Sequence, residues 1–324
     1  MSGAAFDSLT ARGQTQRLRG LARVALDDYG LDDARVSLLK RTFNTLLRVV
    51  ESDGTKSALR VGARERIHTD ETESVETAWL RALRADTNID APLPIANRSG
   101  AYATTVGVPG VPEPRTCVLF EWARGRRLGE TLNVERMANA GALLARLHEH
   151  GAAFDGGRQQ PVIVGDNVAS FRLPDRIPRD DAHYGTLFAE AVERAQAAID
   201  ALWAHPPHRP HILHGDFHPN NILVWRDHLV PIDFQDALWG FEIQDVAITM
   251  MVFEHYPDAG ALAAALRAGY ERVRPWPADD AEMVNELVGA RHLSVLNLGY
   301  NLRRPGLDEF IDRHAAWLRN WMDT

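Results

Sequence analysis

Residues 211–240 read HILHGDFHPNNILVWRDHLVPIDFQDALWG, and the fold of the whole chain turns on the spacing inside that stretch. Asn221 follows Asp216 by five positions, and Asp233 follows Asn221 by twelve. Apolar runs over 222–225 and 229–232 flank the turn-forming Arg226-Asp227, the pattern of a short hairpin. A hairpin returns its two ends to one place, so Asp216, Asn221 and Asp233 gather three oxygen-bearing side chains at one end of a ribbon. A general base with two ligands for a hard cation has this composition. Any single Asp or Asn in a proline-containing loop is more often a turn or cap residue. The spaced set, not one member, carries the reading.

Phosphoryl transfer from ATP requires a carboxylate that orients and deprotonates the attacking hydroxyl, and oxygen ligands for the Mg²⁺ that bridges the phosphates. Asp216 suits the first task, and Asn221 with Asp233 the second. Protein kinases divide the same work between H-R-D-x-x-x-x-N and D-F-G. Here the order is His214-Gly215-Asp216, then Asn221, then Asp233-Phe234-Gln235. On HGDFHPNNIL and IDFQDA the chain resembles the aminoglycoside phosphotransferase and choline kinase superfamily, which includes type II homoserine kinases and bacterial stress-response kinases. The resemblance implies an α+β, two-lobed protein-kinase-like fold. Its small N-terminal lobe of antiparallel sheet and helix, residues 1–123, would bind nucleotide. Its larger, mainly helical C-terminal lobe, residues 124–324, would carry catalysis and the acceptor. The implied cofactors are ATP and Mg²⁺, and the implied partner is a small-molecule hydroxyl acceptor.

Upstream, residues 18–29 read as a helix ending before Gly30, and 36–40, 46–50 and 57–61 as strands, with Ser52-Asp53-Gly54 as a hairpin turn. The connection 41–45 has no G-x-G-x-x-G. Asn44 and Thr45 either contact phosphates there, as the resemblance implies, or belong to an ordinary polar hairpin. Arg60 stands where V-A-I-K of a protein kinase has lysine. Arginine retains a permanent charge and forked contacts to phosphate, and the choline kinase-like group also has arginine at this point. On a helix over 71–85, the resemblance makes Glu76 the residue that positions Arg60, with Glu73 its rival; spacing alone favours an exposed helix-surface glutamate. Residues 116–122 read as a strand, and by resemblance Glu121, Trp122 and Ala123 form the hinge whose backbone receives adenine.

Downstream, residues 134–150 read as a buried helix with the stripe Val134, Met137, Gly141, Leu144 and His148. His148 is then a hydrogen-bonded core histidine rather than a catalytic one, and the resemblance implies that it supports the site loop. Residues 155–183, with Gly156-Gly157, Pro161, Pro174 and Pro178, read as an irregular excursion before a helix over 184–203. By resemblance Asp245 bonds the backbone of the catalytic loop. Helices follow at 259–273, 279–299 and 307–322, the second with a capping-box spacing at Asp279 and Glu282. Arg291 sits in that helix's apolar stripe and needs an anion, either a substrate group or a structural carboxylate. Trp225 and Trp239 flank the site stretch and either wall a substrate pocket or, the reading preferred for each, pack in the core.

Composition bounds the remaining classes. The 324 residues are 45% hydrophobic and 25% charged, with net charge −8. No basic block stands out to neutralise phosphates, which argues against nucleic-acid or anionic-membrane binding. Cys117 is the sole cysteine, so no intrachain disulfide and no cysteine zinc cluster can form. No apolar run reaches the ~18 residues of a membrane helix, and residues 1–17 lack a signal-peptide core. A soluble chain in a reducing cytoplasm is the expectation.

Three rival readings stand beside the small-molecule kinase. His211, His214, Asp216 and His218 form H-x-x-H-x-D-x-H, a ligand set for a metal-dependent hydrolase, although alternating positions on one loop cannot all converge on one ion. Arg60 and the missing glycine loop suggest a non-catalytic nucleotide-binding pseudokinase. Protein serine, as in the stress-response kinases, is an alternative acceptor, but no A-P-E segment follows Asp233.

Overall fold

The computed structural model describes residues 5–64, 68, 70–155, 163–169, 173–302 and 306–324. It divides into two compact units, Met1–Arg124 and Gly125–Thr324.

The first unit contains α1 (Ala11–Asp27), β1 (Arg35–Arg41), β2 (Thr45–Val50), β3 (Lys56–Val61), α2 (Asp70–Asp86), β4 (Ala103–Val106) and β5 (Arg115–Glu121). The strands form one antiparallel sheet in the order β1-β2-β3-β5-β4. Strand β2 alternates, burying Thr45, Leu47 and Val49 on one face, as the period of two demands. Against that face α1 lays Leu18, Leu21, Ala22, Ala25 and Leu26, a helical i, i+3, i+4, i+7, i+8 stripe. The helix begins earlier than residue 18 because the Thr10 hydroxyl accepts from the Gly13 N–H at 3.2 Å and caps a polar first turn that has no apolar period to read. After Glu51, Gly54 takes φ +91° in the β2–β3 hairpin, a conformation open to glycine. Strand β5 ends at Glu121, one residue short of Trp122.

The second unit contains β6 (Arg126–Arg127), α3 (Val134–Ala153), β7 (Ile163–Val164), α4 (Gly185–Ala204), β8 (His211–Leu213), β9 (Ile222–Trp225), β10 (His228–Pro231), β11 (Leu238–Gly240), α5 (Glu242–Phe253), α6 (Ala259–Tyr270), α7 (Ala281–Leu302) and α8 (Leu307–Met322). Two small sheets, β10-β9-β6 and β7-β11-β8, sit among the helices. Phe188, Ile199, Phe241, Val246, Leu293, Leu318 and Trp321 belong to one buried core that joins α4, α5, α7 and α8. Helices α3 and α6 cross at backbone distance: a Cβ on Gly141 would lie 2.0 Å from the Leu266 carbonyl, and one on Gly269 1.7 Å from that of Ala138.

Several expectations change here. Val134 is 54% exposed, because the stripe of α3 does not reach the core until Met137. Helix α7 is capped by Asp280, whose Oδ1 accepts from the Met283 N–H at 2.9 Å; Asp279 instead pairs with Arg267 at 2.7 Å, so the capping box does not form. Trp225 is 40% exposed at the end of β9, not in the core. Of the excursion at 155–183, Gly156, Gly157 and Pro161 lie outside the described residues. Its later part is fastened to α7, with Asn297 Oδ1 accepting from Arg176 N at 2.8 Å and Asn301 Nδ2 donating to the Pro174 carbonyl at 3.0 Å. Among the described residues no helix is long and apolar enough to cross a membrane.

Candidate active site

The 211–240 stretch folds as strand, loop, hairpin and strand. Strands β9 and β10 pair from Trp225↔His228 to Ile222↔Pro231, and the Ile232 N–H donates to the Asn221 carbonyl at 2.9 Å. That register puts Asn221 and Asp233 at the same end of the hairpin. Asp233 adopts φ +67°, ψ +56°, a left-handed conformation that a short polar residue tolerates and that turns the chain out of β10. Gly215 also has positive φ, +75°, and a Cβ there would lie 1.9 Å from the Asp236 carbonyl. Only glycine lets the loop before Asp216 pass so close to the segment after Asp233.

Both carboxylate oxygens of Asp216 are engaged. Arg291 Nη2 donates to Oδ1 at 2.8 Å, and Asn221 Nδ2 donates to Oδ2 at 2.7 Å and to the Asp216 carbonyl at 3.0 Å. His218 brings Nε2 to 3.3 Å of Oδ2, while its Nδ1 accepts from the Asn220 N–H at 3.1 Å. Burial pushes the Asp216 carboxyl up, but His218, Arg291 and His214 outweigh it and hold the group well below the usual carboxylate range. The carboxylate is therefore ionised, oriented and weakly basic. The Asn221 amide nitrogen faces Asp216, which leaves its Oδ1 as the donor for a cation. Together with the exposed carboxylate of Asp233, this is an all-oxygen donor set that suits Mg²⁺ or Ca²⁺ rather than a softer ion.

Behind the loop stands Asp245 on α5. Its two oxygens accept from the His214 N–H at 3.0 Å and the Gly215 N–H at 2.8 Å, and His148 Nε2 lies 3.2 Å from Oδ2. Tyr270 closes the chain, its hydroxyl 2.9 Å from His148 Nδ1. His148 and Asp245 are fully buried. Burial lowers the proton affinity of the imidazole, and the contact with Asp245 only partly restores it. His214 spans the loop itself: Nδ1 accepts from the Asp216 N–H at 3.3 Å and Nε2 reaches the Ile232 carbonyl at 3.2 Å. The site loop is thus held by α3, α5 and α6 through a buried hydrogen-bonded series.

In the N-terminal unit, Arg60 on β3 meets both glutamates of α2. Nη1 donates to Glu76 Oε1 at 2.8 Å and Nη2 to Glu76 Oε2 at 2.5 Å, while Nη2 also contacts Glu73 Oε2. All three side chains are buried, so the exposed-glutamate alternative is overturned and Glu73 joins Glu76. Burial pushes the Glu73 carboxyl up to about 7, with Arg60 opposing and Glu76 adding to the rise. The Arg60 guanidinium also lies over the Phe120 ring at 5.0 Å. Asn44 Oδ1 accepts from the Ala63 N–H at 3.0 Å, fixing the end of β3 to the β1–β2 connection, and Thr45 is buried in β2. At the expected hinge, the Glu121 N–H is already given to the Leu93 carbonyl at 2.8 Å.

Two contacts escaped the sequence. His218, two residues after Asp216, turns back onto its carboxylate. Arg291 is 75 residues away from Asp216; its place in an apolar stripe signalled a buried anionic partner, but not which one. The H-x-x-H-x-D-x-H set diverges: His214 faces Ile232 and His218 faces Asp216, while His211 faces Glu242 at 2.9 Å.

The sequence matches the profile of the Phosphotransferase enzyme family over residues 42–278. Homoserine kinases of Beijerinckia indica subsp. indica and Azorhizobium caulinodans are each 30% identical to it, over 60% and 65% of this chain. The matched stretch spans 58% and 64% of those relatives, less than two thirds of their length. A microcompartment-associated aminopropanol kinase superposes with TM-score 0.73 at 23% identity, covering 94% of this chain and 95% of that one. An amicoumacin kinase solved with AMP-PNP and Ca²⁺ also gives 0.73, at 16% identity and 96% of both chains. These superpositions show a shared kinase-like fold.

Proposed function

The chain belongs to the phosphotransferase enzyme family, and from that premise we propose that it moves the γ-phosphoryl group of ATP to the hydroxyl of a small molecule. The observation that carries the proposal is the Asp216 carboxylate, ionised and fixed from both sides by Arg291, Asn221 and His218.

Asp216 orients the acceptor hydroxyl and takes its proton as the bond to phosphorus forms. A weakly basic carboxylate suffices, since in a loose transition state the nucleophile keeps its proton until late. Mg²⁺, held by Asn221 Oδ1 and Asp233, would supply neutralisation of the phosphate charge. Arg60, fixed by Glu76 and Glu73, contacts the α/β-phosphates; Asn44 and Thr45 shape the adjoining turn. Adenine bonds the backbone at Glu121, Trp122 and Ala123, with the Glu121 carbonyl as the group offered there because its N–H is taken. His148 and Asp245 hold the loop.

The acceptor class we favour is a small hydroxylated amino acid or amino alcohol. The homoserine kinase relatives point to the first. Arg291 supports it, as a cation beside the base can pair with an acceptor carboxylate. Only the short β11 separates Asp236 from α5, which leaves little platform for a peptide. A panel of homoserine, aminopropanol, choline and aminoglycosides, assayed for ATP consumption with Mg²⁺, tests the reading. Asp216→Asn should lower kcat by about 10²–10⁴-fold. Equal turnover in the two proteins, or none with any hydroxyl compound, would reject it.

A further inference from the structure

His208, His211 and Glu242 lie in the C-terminal unit behind the site loop, the His211 ring 6.3 Å edge-on from that of His148. His208 lies within the 205–210 loop, His211 opens β8 and Glu242 begins α5. Their ligand atoms all lie within 4.8 Å of one another. His211 Nε2 is 2.9 Å from Glu242 Oε1, and His208 Nε2 lies against Glu242 Oε2. The two imidazoles stack nearly parallel, 5.7 Å apart at 21°.

The hydrogen bonds of the two rings orient them toward the carboxylate. His211 Nδ1 is 3.0 Å from the Ile212 carbonyl, and His208 Nδ1 is 2.8 Å from the Arg209 carbonyl. A carbonyl only accepts, so both Nδ1 atoms carry hydrogen and both rings turn Nε2 toward the carboxylate. In neutral rings those are lone pairs facing carboxylate lone pairs, and a shared cation, either a proton on Nε2 or a metal ion, removes the repulsion. His211 Nε2 is buried against the Glu242 carboxylate, the one polar group it faces among the described residues. Donation of Nδ1–H to a backbone carbonyl is the arrangement that fixes a metal-ligating histidine. The carboxylate is fixed too, by Arg274 Nη2 at 2.9 Å from Oε1, which leaves Oε2 toward His208.

We propose that His208, His211 and Glu242 bind a divalent transition-metal ion, Zn²⁺ in the first instance, with solvent completing the coordination. Two imidazole nitrogens and one carboxylate oxygen suit Zn²⁺ and are poor ligands for Mg²⁺. Around a tetrahedral ion with bonds of ~2 Å the donors stand about 3.3 Å apart, so a small closing or opening of these side chains would seat it. The ion would fasten the 205–210 loop and β8 to the start of α5. These two elements lead into the HGD loop and carry Asp245 respectively, so the role is structural support behind the site.

The test uses tag-free full-length chain stripped with a chelator and titrated with Zn²⁺ by calorimetry, with metal content and Tm read in parallel. One Zn²⁺ per chain and a rise in Tm are expected. His208 is partly exposed and outside the transfer machinery, so His208→Ala should keep the apo Tm and the circular dichroism. It should weaken Zn²⁺ binding by more than the ~10–100-fold that loss of an outer-shell partner costs. Glu242→Gln should do the same where it folds. Absence of a stoichiometric site, equal affinity in His208→Ala, or displacement of the ion by millimolar Mg²⁺ would each overturn the proposal.

Discussion

Asp216 shows how a single residue is set by its partners. Three groups lower its proton affinity against burial, and Arg291 is the one that approaches Oδ1. Replacing Arg291 with Met removes a positive charge and should move the acid limb of the kcat/KM profile to higher pH; an unmoved limb would show that Arg291 does not set the ionisation. Glu73 runs the other way. Burial holds its carboxyl at about 7, against an ordinary 4.5. The folded state therefore retains a proton that the unfolded state releases. That contribution to stability is complete below about 4.5 and is lost as pH rises through about 7. Glu73→Gln should flatten this part of the urea-midpoint profile, and an unchanged slope would assign it elsewhere. The pairing of Arg60 with α2 was implied by the family resemblance, whereas helix spacing alone favoured an exposed glutamate. That two glutamates share it was not implied, because helix spacing leaves the rotation of α2 against the sheet undetermined.

At the scale of elements, the crossing of α3 and α6 depends on two glycines. Gly269→Ala puts a methyl 1.7 Å from the Ala138 carbonyl, so the helices must separate. A loss of about 1–3 kcal/mol or more in urea unfolding is expected, and a neutral result would mean the crossing yields easily. This crossing also carries His148 and Tyr270, the supports of Asp245. Asp245→Asn should leave the helices folded but loosen the His214 and Gly215 amides, seen as faster hydrogen exchange there together with a lower kcat. Within elements, apolar periodicity was readable and the ends were not. Helices α1 and α7 start at Thr10 and Asp280 because a side-chain oxygen finds an N–H, and capping of that kind leaves no trace in the hydrophobic pattern.

For the whole molecule, an antiparallel sheet with two helices precedes a mainly helical part with its own core, each unit burying a separate set of apolar residues. Nucleotide and divalent cation should each add stability by mass action. AMP-PNP with Mg²⁺ is expected to raise Tm, and Asp233→Ala to remove the Mg²⁺-dependent part of the rise. An equal rise in Asp233→Ala would place the cation elsewhere.

Local spacing was enough to read the hairpin that brings Asn221 and Asp233 to one end, strands β1, β2, β3 and β5, and helices α1–α4 and α6–α8, because those features depend on residues a few positions apart. Two contacts between residues far apart in the chain came only with tertiary packing, Arg291 on Asp216 and His208 with His211 against Glu242, while Asp245 on the Gly215 amide was implied beforehand only by the family resemblance. Each depends on how a helix is rotated and seated in a core, and many sequences with the same periodicity could seat it differently.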